Sequence, residues 1–242
     1  EASAPVDCPL EFSAFPASGG MMQLEATSPC RAGRVAVLHM DDLRIALRFD
    51  ADGRIANTVP GAGRDLSLEL VTADGVSATA SLTLLDAATV ERVALVWDGP
   101  VDLNLHAFEF GAAPGAEGHV WAGGEPDARG YRRGVAGFVS SFPALDGLGQ
   151  SVEFYSFNPG RRSPVGRIAM AVEFASRGPV PQAPYCGGDP LASPSFRILR
   201  FNRGVVDRGA ARLFEAAACD AALTENSIYL RDLVQDILVV GR

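Results

Sequence analysis

Ala94-Leu-Val-Trp-Asp-Gly-Pro-Val-Asp-Leu-Asn-Leu-His-Ala-Phe-Glu-Phe110, followed at 118–121 by Gly-His-Val-Trp, is the stretch on which the fold turns. It holds two of the three histidines and both tryptophans. Asp102, Asn104 and His106 alternate with Leu103 and Leu105, and period two is the signature of a strand with unlike faces. One face is apolar. The other carries a triplet able to hydrogen-bond, to bind a metal, or to face water. Phe108 and Phe110 share the parity of the triplet, so either a bulge resets the register near Ala107 or this face is partly buried as well.

Outward from this stretch the chain is all-β. Before it, strand-length segments at 10–15, 22–26, 34–40, 43–49, 65–71 and 76–85 alternate or run apolar, separated by turn signals at Asp52-Gly53, 61–63 and Asp74-Gly75. About seven short strands at such spacing imply an immunoglobulin-like or fibronectin-like sandwich, with a short linker at 86–89. After the linker, strands are expected at 92–97, 101–110, 119–121, 134–142, 151–157, 167–174 and 196–201. The Gly/Pro-rich segments at 111–130 and 178–195 lie among them. The expectation is therefore two tandem β-sandwich domains, 1–88 and a loop-rich 89–242. Residues 210–222 fit a helix. For 228–240 helical spacing competes with a last strand at 237–240, which is preferred.

Composition bounds the chemistry. A 242-residue chain with 48% hydrophobic and 21% charged residues can form a real core. Its net charge of −8 suits neither nucleic acid nor an anionic lipid surface. All basic residues are arginine, and the absence of lysine excludes Schiff-base catalysis, a P-loop and a kinase site. No apolar run is long enough to span a bilayer as a helix. The four cysteines, Cys8, Cys30, Cys186 and Cys219, form no C-x-x-C pair. Of three connectivities, their separation along the chain favours Cys8–Cys30 with Cys186–Cys219. The opening Glu-Ala-Ser-Ala-Pro fits a mature end left by signal-peptide removal, and with the cysteines it suggests the periplasm or the cell exterior.

Candidate sites are few. His106 and His119, with a carboxylate from Asp102, Glu109 or Glu117, could ligate a divalent metal such as zinc. The alternative is a buried network that satisfies loop backbone groups. Asp50-Ala-Asp-Gly resembles part of an EF-hand loop but lacks the closing Glu, so a hairpin turn is expected. There is no G-x-S-x-G nucleophile elbow, and His39 sits within an apolar strand. Trp97 reads as core. Trp121, followed by Ala-Gly-Gly, is the better candidate for stacking a sugar, with Asn104 as a second ligand-binding candidate. No catalytic residue and no cofactor is expected.

The Val101-Asp-Leu-Asn-Leu-His-Ala strand resembles the Val-Asp-Leu-Asp-Leu-His-Val strand of exported bacterial β-sandwich domains, with Asn104 at the second Asp and Ala107 at the last Val. More broadly the chain is similar to exported alphaproteobacterial proteins of unknown function, sometimes labelled translocases. The shared landmarks are Cys8, Cys30-Arg-Ala-Gly, Ala94-Leu-Val-Trp, Leu105-His-Ala-Phe-Glu-Phe-Gly-Ala, Gly118-His-Val-Trp, Cys186, Cys219 and Tyr229-Leu-Arg-Asp-Leu. The resemblance implies export and architecture and carries no activity. The expected role is a non-enzymatic binding or structural protein, an accessory subunit of a cell-envelope assembly that meets a protein partner. A metal-dependent hydrolase or a carbohydrate-binding module around His106, His119 and Trp121 is the alternative.

Overall fold

Alternating side chains sort the first seven strands into two sheets. The computed structural model describes residues 8–98, 102–125, 127–175, 195–202, 205–208, 212–213, 228–230 and 233–240. The chain divides into two compact units, Glu1–Ala88 with Phe142–Gln150, and Thr89–Ser141 with Ser151–Arg242. The segment 142–150, which lies in the loop-rich part of the sequence, thus belongs to the first unit.

In the first unit the strands are β1 (Glu11–Ala17), β2 (Met21–Thr27), β3 (Val35–Met40), β4 (Leu43–Arg48), β5 (Arg54–Pro60), β6 (Asp65–Thr72) and β7 (Ser77–Thr83). One sheet runs β1-β2-β5 and the other β4-β3-β6-β7, all antiparallel. Met22, Leu24 and Ala26 of β2 are buried while Gln23 and Glu25 are exposed, and Leu66, Leu68 and Leu70 repeat the pattern on β6. Three strands and four, each with one apolar face, make the sandwich that the spacing implied. The strand missing from the sequence expectation is β5. Its apolar signal is only Ile55 and Val59, diluted by Asn57, Thr58 and the terminal Pro60.

Turns follow their chemistry. Asp50 is an Asx turn, not a calcium loop: its Oδ1 accepts the Asp52 and Arg54 amides at 2.9 and 2.8 Å. Asp41 takes φ 54° in the two-residue β3–β4 connection, a conformation Asp tolerates. Strand β4 would be an open edge, but Gln150 pairs beside Ile45. Its amide donates to the Arg44 carbonyl at 2.7 Å, and its Oε1 accepts the Arg44 amide at 3.2 Å.

Cys8 and Cys30 form a disulfide, joining the segment before β1 to the turn after β2. Cys186 and Cys219 lie outside the described residues. With the bridged positions 22 residues apart in sequence, replacing both cysteines by alanine should cost about 3 kcal/mol. Because both tryptophans lie in the second unit, amide exchange in β2 and β6 is the readout. Unchanged protection there would show that the strands hold without the staple.

The second unit contains β8 (Glu91–Trp97), β9 (Asp102–Glu109), β10 (His119–Val120), α1 (Ala128–Arg133), β11 (Phe138–Phe142) and β12 (Ser151–Phe157). It continues with β13 (Gly166–Ala175), β14 (Ser195–Asn202), β15 (Val205–Arg208), β16 (Arg212–Leu213), β17 (Ile228–Leu230) and β18 (Ile237–Val239). One sheet runs β10-β9-β13-β17, with β18 also on β13, and the other β11-β12-β8-β14-β15, with β16 on β14. Between them lies one core: Val93, Leu95 and Trp97 from β8, Leu103, Leu105 and Ala107 from β9, Tyr155 and Phe157 from β12, with β13 and β18 adding more. Trp97 is core, as its apolar strand suggested.

Two expectations about helices need comment. Arg212–Leu213 is strand, and the rest of 210–222 lies outside the described residues; the terminal apolar run ends in strand β18. A short helix, α1, instead occupies 128–133. Its signals are Asp127, whose side chain accepts the Arg129 and Gly130 amides, and Gly134 in the left-handed C-cap at φ 70°. Among the described residues no helix is long and apolar enough to cross a membrane.

Candidate functional site

Strand β9 is buried on both faces. Leu103, Leu105 and Ala107 point between the sheets, while Asn104, His106 and Phe108 on the opposite face are 6%, 1% and 4% exposed. The ladder to β13 runs unbroken from Asp102 to Glu109, so no bulge resets the register. The face that carries Asn104 and His106 is buried, and their polar groups need partners.

They find them on β13 and in the loop after β9. Pairing sets Asn104 opposite Glu173 and His106 opposite Ala171. His106 Nε2 lies 2.8 Å from Glu173 Oε2, and Asn104 Nδ2 donates to the same oxygen at 3.4 Å. On its other side, His106 Nδ1 meets His119 Nε2 at 2.8 Å. The Gly115 amide donates to His119 Nδ1 at 2.9 Å.

The two ends of this chain fix every proton in it. A backbone amide can only donate, so His119 Nδ1 accepts and the neutral ring carries its hydrogen on Nε2. That hydrogen goes to His106 Nδ1. His106 then holds its own on Nε2 and donates to the Glu173 carboxylate, which can only accept. The polarity runs one way: Gly115, His119, His106, Glu173. An added proton on either ring must set two donors against each other, at Gly115 or between the rings. Burial acts in the same sense, and it is the main reason that both imidazoles have pKa values below the ordinary 6.5, although the Glu173 carboxylate opposes it.

Rings pack around the pair. With a 2.8 Å contact between nitrogens and 5.0 Å between centroids, the imidazoles lie edge to edge and nearly coplanar. Phe108 stacks on His119 at 4.7 Å and Trp121 on His106 at 5.2 Å. Beside the indole run Gly123 and Gly124: a Cβ on Gly123 would come within 2.4 Å of the Trp121 ring. Trp121 is half-buried, and its ring serves the stack.

The loop closes on this network. Gly111, Gly115 and Gly118 take positive φ, and Ala112, Ala116 and His119 amides make successive turn bonds at 3.0 Å. A Cβ on Gly118 would meet Ala112 and the Glu109 carbonyl at 3.1 and 3.3 Å. The Gly/Pro-rich 111–118 is therefore pinned within its own unit.

Glu109 does not join the histidines. It points to the other face of β9, where one oxygen, Oε1, accepts the Gly137 amide at 2.6 Å and the Tyr155 hydroxyl at 2.7 Å. Burial, reinforced by the Asp127 charge, pushes its carboxyl above the ordinary 4.5. Glu109→Gln keeps an acceptor for both donors and removes a buried charge. It should stabilise the second unit by about 1 kcal/mol at pH 7.5, with the gain vanishing towards pH 5. A loss of stability at pH 7.5 would mean that the ionised carboxylate is the required form. Glu153, fully buried on β12, accepts the Leu105 amide at 2.6 Å, filling a β9 position that the short β10 leaves unpaired.

The sequence candidates therefore separate. His106 and His119 converge, Asn104 joins them, and Trp121 stacks on them. Glu117 is exposed in the loop, and the side chain of Asp102 lies outside the described residues. The carboxylate that completes the network is Glu173, unmarked in the sequence except as an acid within the apolar run 168–174. Both lone pairs a metal could use, on His106 Nδ1 and His119 Nδ1, already receive hydrogen bonds. Among the described residues no three His, Cys, Asp or Glu side chains are grouped to hold a metal ion. No family model matches this chain, and no curated protein matches it.

Proposed function

We propose that the chain is a non-catalytic binding or structural protein, exported to an oxidising compartment, that serves as an accessory subunit of a cell-envelope assembly. The observation that carries this reading is the use of the described polar side chains around β9: His106, His119, Glu109 and Glu153 are spent on internal hydrogen bonds that position a loop or fill a strand edge, and Asn104 on one to Glu173. A catalytic histidine needs a ring nitrogen open to substrate, whereas all four nitrogens here have protein partners. The Cys8–Cys30 disulfide supports export, and two sandwich units offer strand edges and loops for a protein partner.

Partnership is tested by carboxylate-directed cross-linking in the native envelope, followed by mass spectrometry. Lysine reagents would be nearly blind on a chain without lysine. Cross-links to a recurrent envelope protein are expected. Cross-links confined to this chain, with monomeric behaviour at native concentration, would contradict the subunit role and leave a small-ligand binder in its place.

A further inference from the structure

The Cys8–Cys30 disulfide is set against a buried cation. Arg31 is 4% exposed, yet its Nη1 donates to Cys8 Sγ at 2.9 Å, to the Cys8 carbonyl at 2.8 Å and to Ser28 Oγ at 2.7 Å. Its Nε and Nη2 hold Asp74 at 3.1 and 2.8 Å, which fixes the plane of the fork and leaves Nη1 for the sulfur. Ser28, fully buried, has its hydroxyl 3.4 Å from Cys8 Sγ but 3.9 Å from Cys30 Sγ. The two sulfurs thus differ: Cys8 is half-buried beside a guanidinium and a hydroxyl, and Cys30 is exposed.

We propose that Cys8–Cys30 is a thiol–disulfide exchange site, opened by attack on Cys30 and leaving through Cys8. A disulfide sulfur accepts hydrogen bonds weakly, so a charged donor aimed at it does most when the sulfur is a thiolate. A thiolate beside a cation is the better leaving group. In the step, an external thiolate forms a bond to Cys30 Sγ. The Cys8–Cys30 bond breaks, and its electron pair stays on Cys8 Sγ, held by Arg31. A second thiol on the same partner then attacks the partner's sulfur in the mixed disulfide and releases Cys30. The partner dithiol is oxidised to a disulfide and this chain gains two electrons and two protons; in the reverse sequence the partner's disulfide is reduced and Cys8–Cys30 forms again.

The test uses the full oxidised chain with glutathione, acid quenching and peptide mapping, which separates these cysteines from Cys186 and Cys219. Mixed disulfide should form on Cys30 in at least about tenfold excess over Cys8, and equal labelling would overturn the proposal. Arg31→Lys should keep the preference and Arg31→Gln should abolish it. Because Arg31→Gln removes a buried contact, Asp74→Asn serves as the second variant: it leaves the guanidinium in place and should retain the preference, whereas its loss there would count against the assignment. In the reduced chain, alkylation of Cys8 should reach half-completion at least about one pH unit below that of Cys30. Coincident profiles would refute the role of Arg31. A C-x-x-C dithiol protein should carry the reaction through to the free dithiol, while glutathione alone stops at the mixed species; a disulfide resistant to both would sink the proposal.

Discussion

His106→Ala should destabilise the second unit by about 4 kcal/mol, the sum of a cavity of about 2 kcal/mol and the loss of a hydrogen bond to a carboxylate of about 2 kcal/mol. The magnitude follows from position. The ring is 1% exposed and its partner Glu173 is 7% exposed, so the cavity lies in the interior and the carboxylate left behind gains little access to water. Removing it also strips His119 of its acceptor and frees the Gly115 end of the loop. The effect is read from urea unfolding followed by tryptophan fluorescence, because Trp97 and Trp121 both belong to this unit. Glu173→Gln is the companion variant: its amide oxygen can still accept from His106 Nε2, and it should cost only about 1 kcal/mol. Equal, small losses for both variants would show that the network adds little to the fold.

Acid should weaken the same unit. Both rings have folded pKa values below 6.5, so as pH falls through 6.5 the unfolded chain takes up protons that the folded chain refuses. Stability then declines, by up to about 1.4 kcal/mol per pH unit for the buried His106 and by less for the more exposed His119, until the folded values are reached. Glu109 works in the opposite sense. Its folded value lies above 4.5, so the folded state binds its proton first and gains stability as pH falls towards 4.5. The Glu109→Gln variant removes that opposing contribution. In this background the urea midpoint should fall steadily from pH 7.5 to 5, and the Trp121 environment should loosen as Gly115 loses its acceptor. A flat or rising profile would contradict the proton assignment.

Period two made the architecture legible: β2, β6 and β9 read directly from their alternating residues. Strand β5 escaped because a strand with two apolar anchors and a terminal proline carries little periodic signal. Helix α1 escaped because six residues hold no hydrophobic period, although Asp127 and Gly134 were its caps. At the site, the convergence of His106 with His119 was within reach of sequence, since both sit in strand segments joined by a Gly/Pro-rich loop. The role of Glu173 was not. Its place depends on the register of β13 against β9, and the sequence does not number cross-strand pairs between segments more than sixty residues apart. Glu109 illustrates the same limit from the other side. It lies near His106 in the chain, but its odd position turns it to the other face.

The most direct test is nitrogen NMR of chain labelled with ¹⁵N-histidine, read from pH 7.5 down to 5 with and without zinc. Both His106 and His119 should show the Nε2–H tautomer, with unprotonated Nδ1, slow exchange of the Nε2 hydrogens and no response to zinc. Protonation should come only below pH 6.5, together with loss of the Gly115 amide hydrogen bond. An Nδ1–H tautomer on either ring, or a stoichiometric zinc shift at both Nδ1 atoms, would show that these nitrogens are open to a ligand and that the network is a functional centre instead of a structural one.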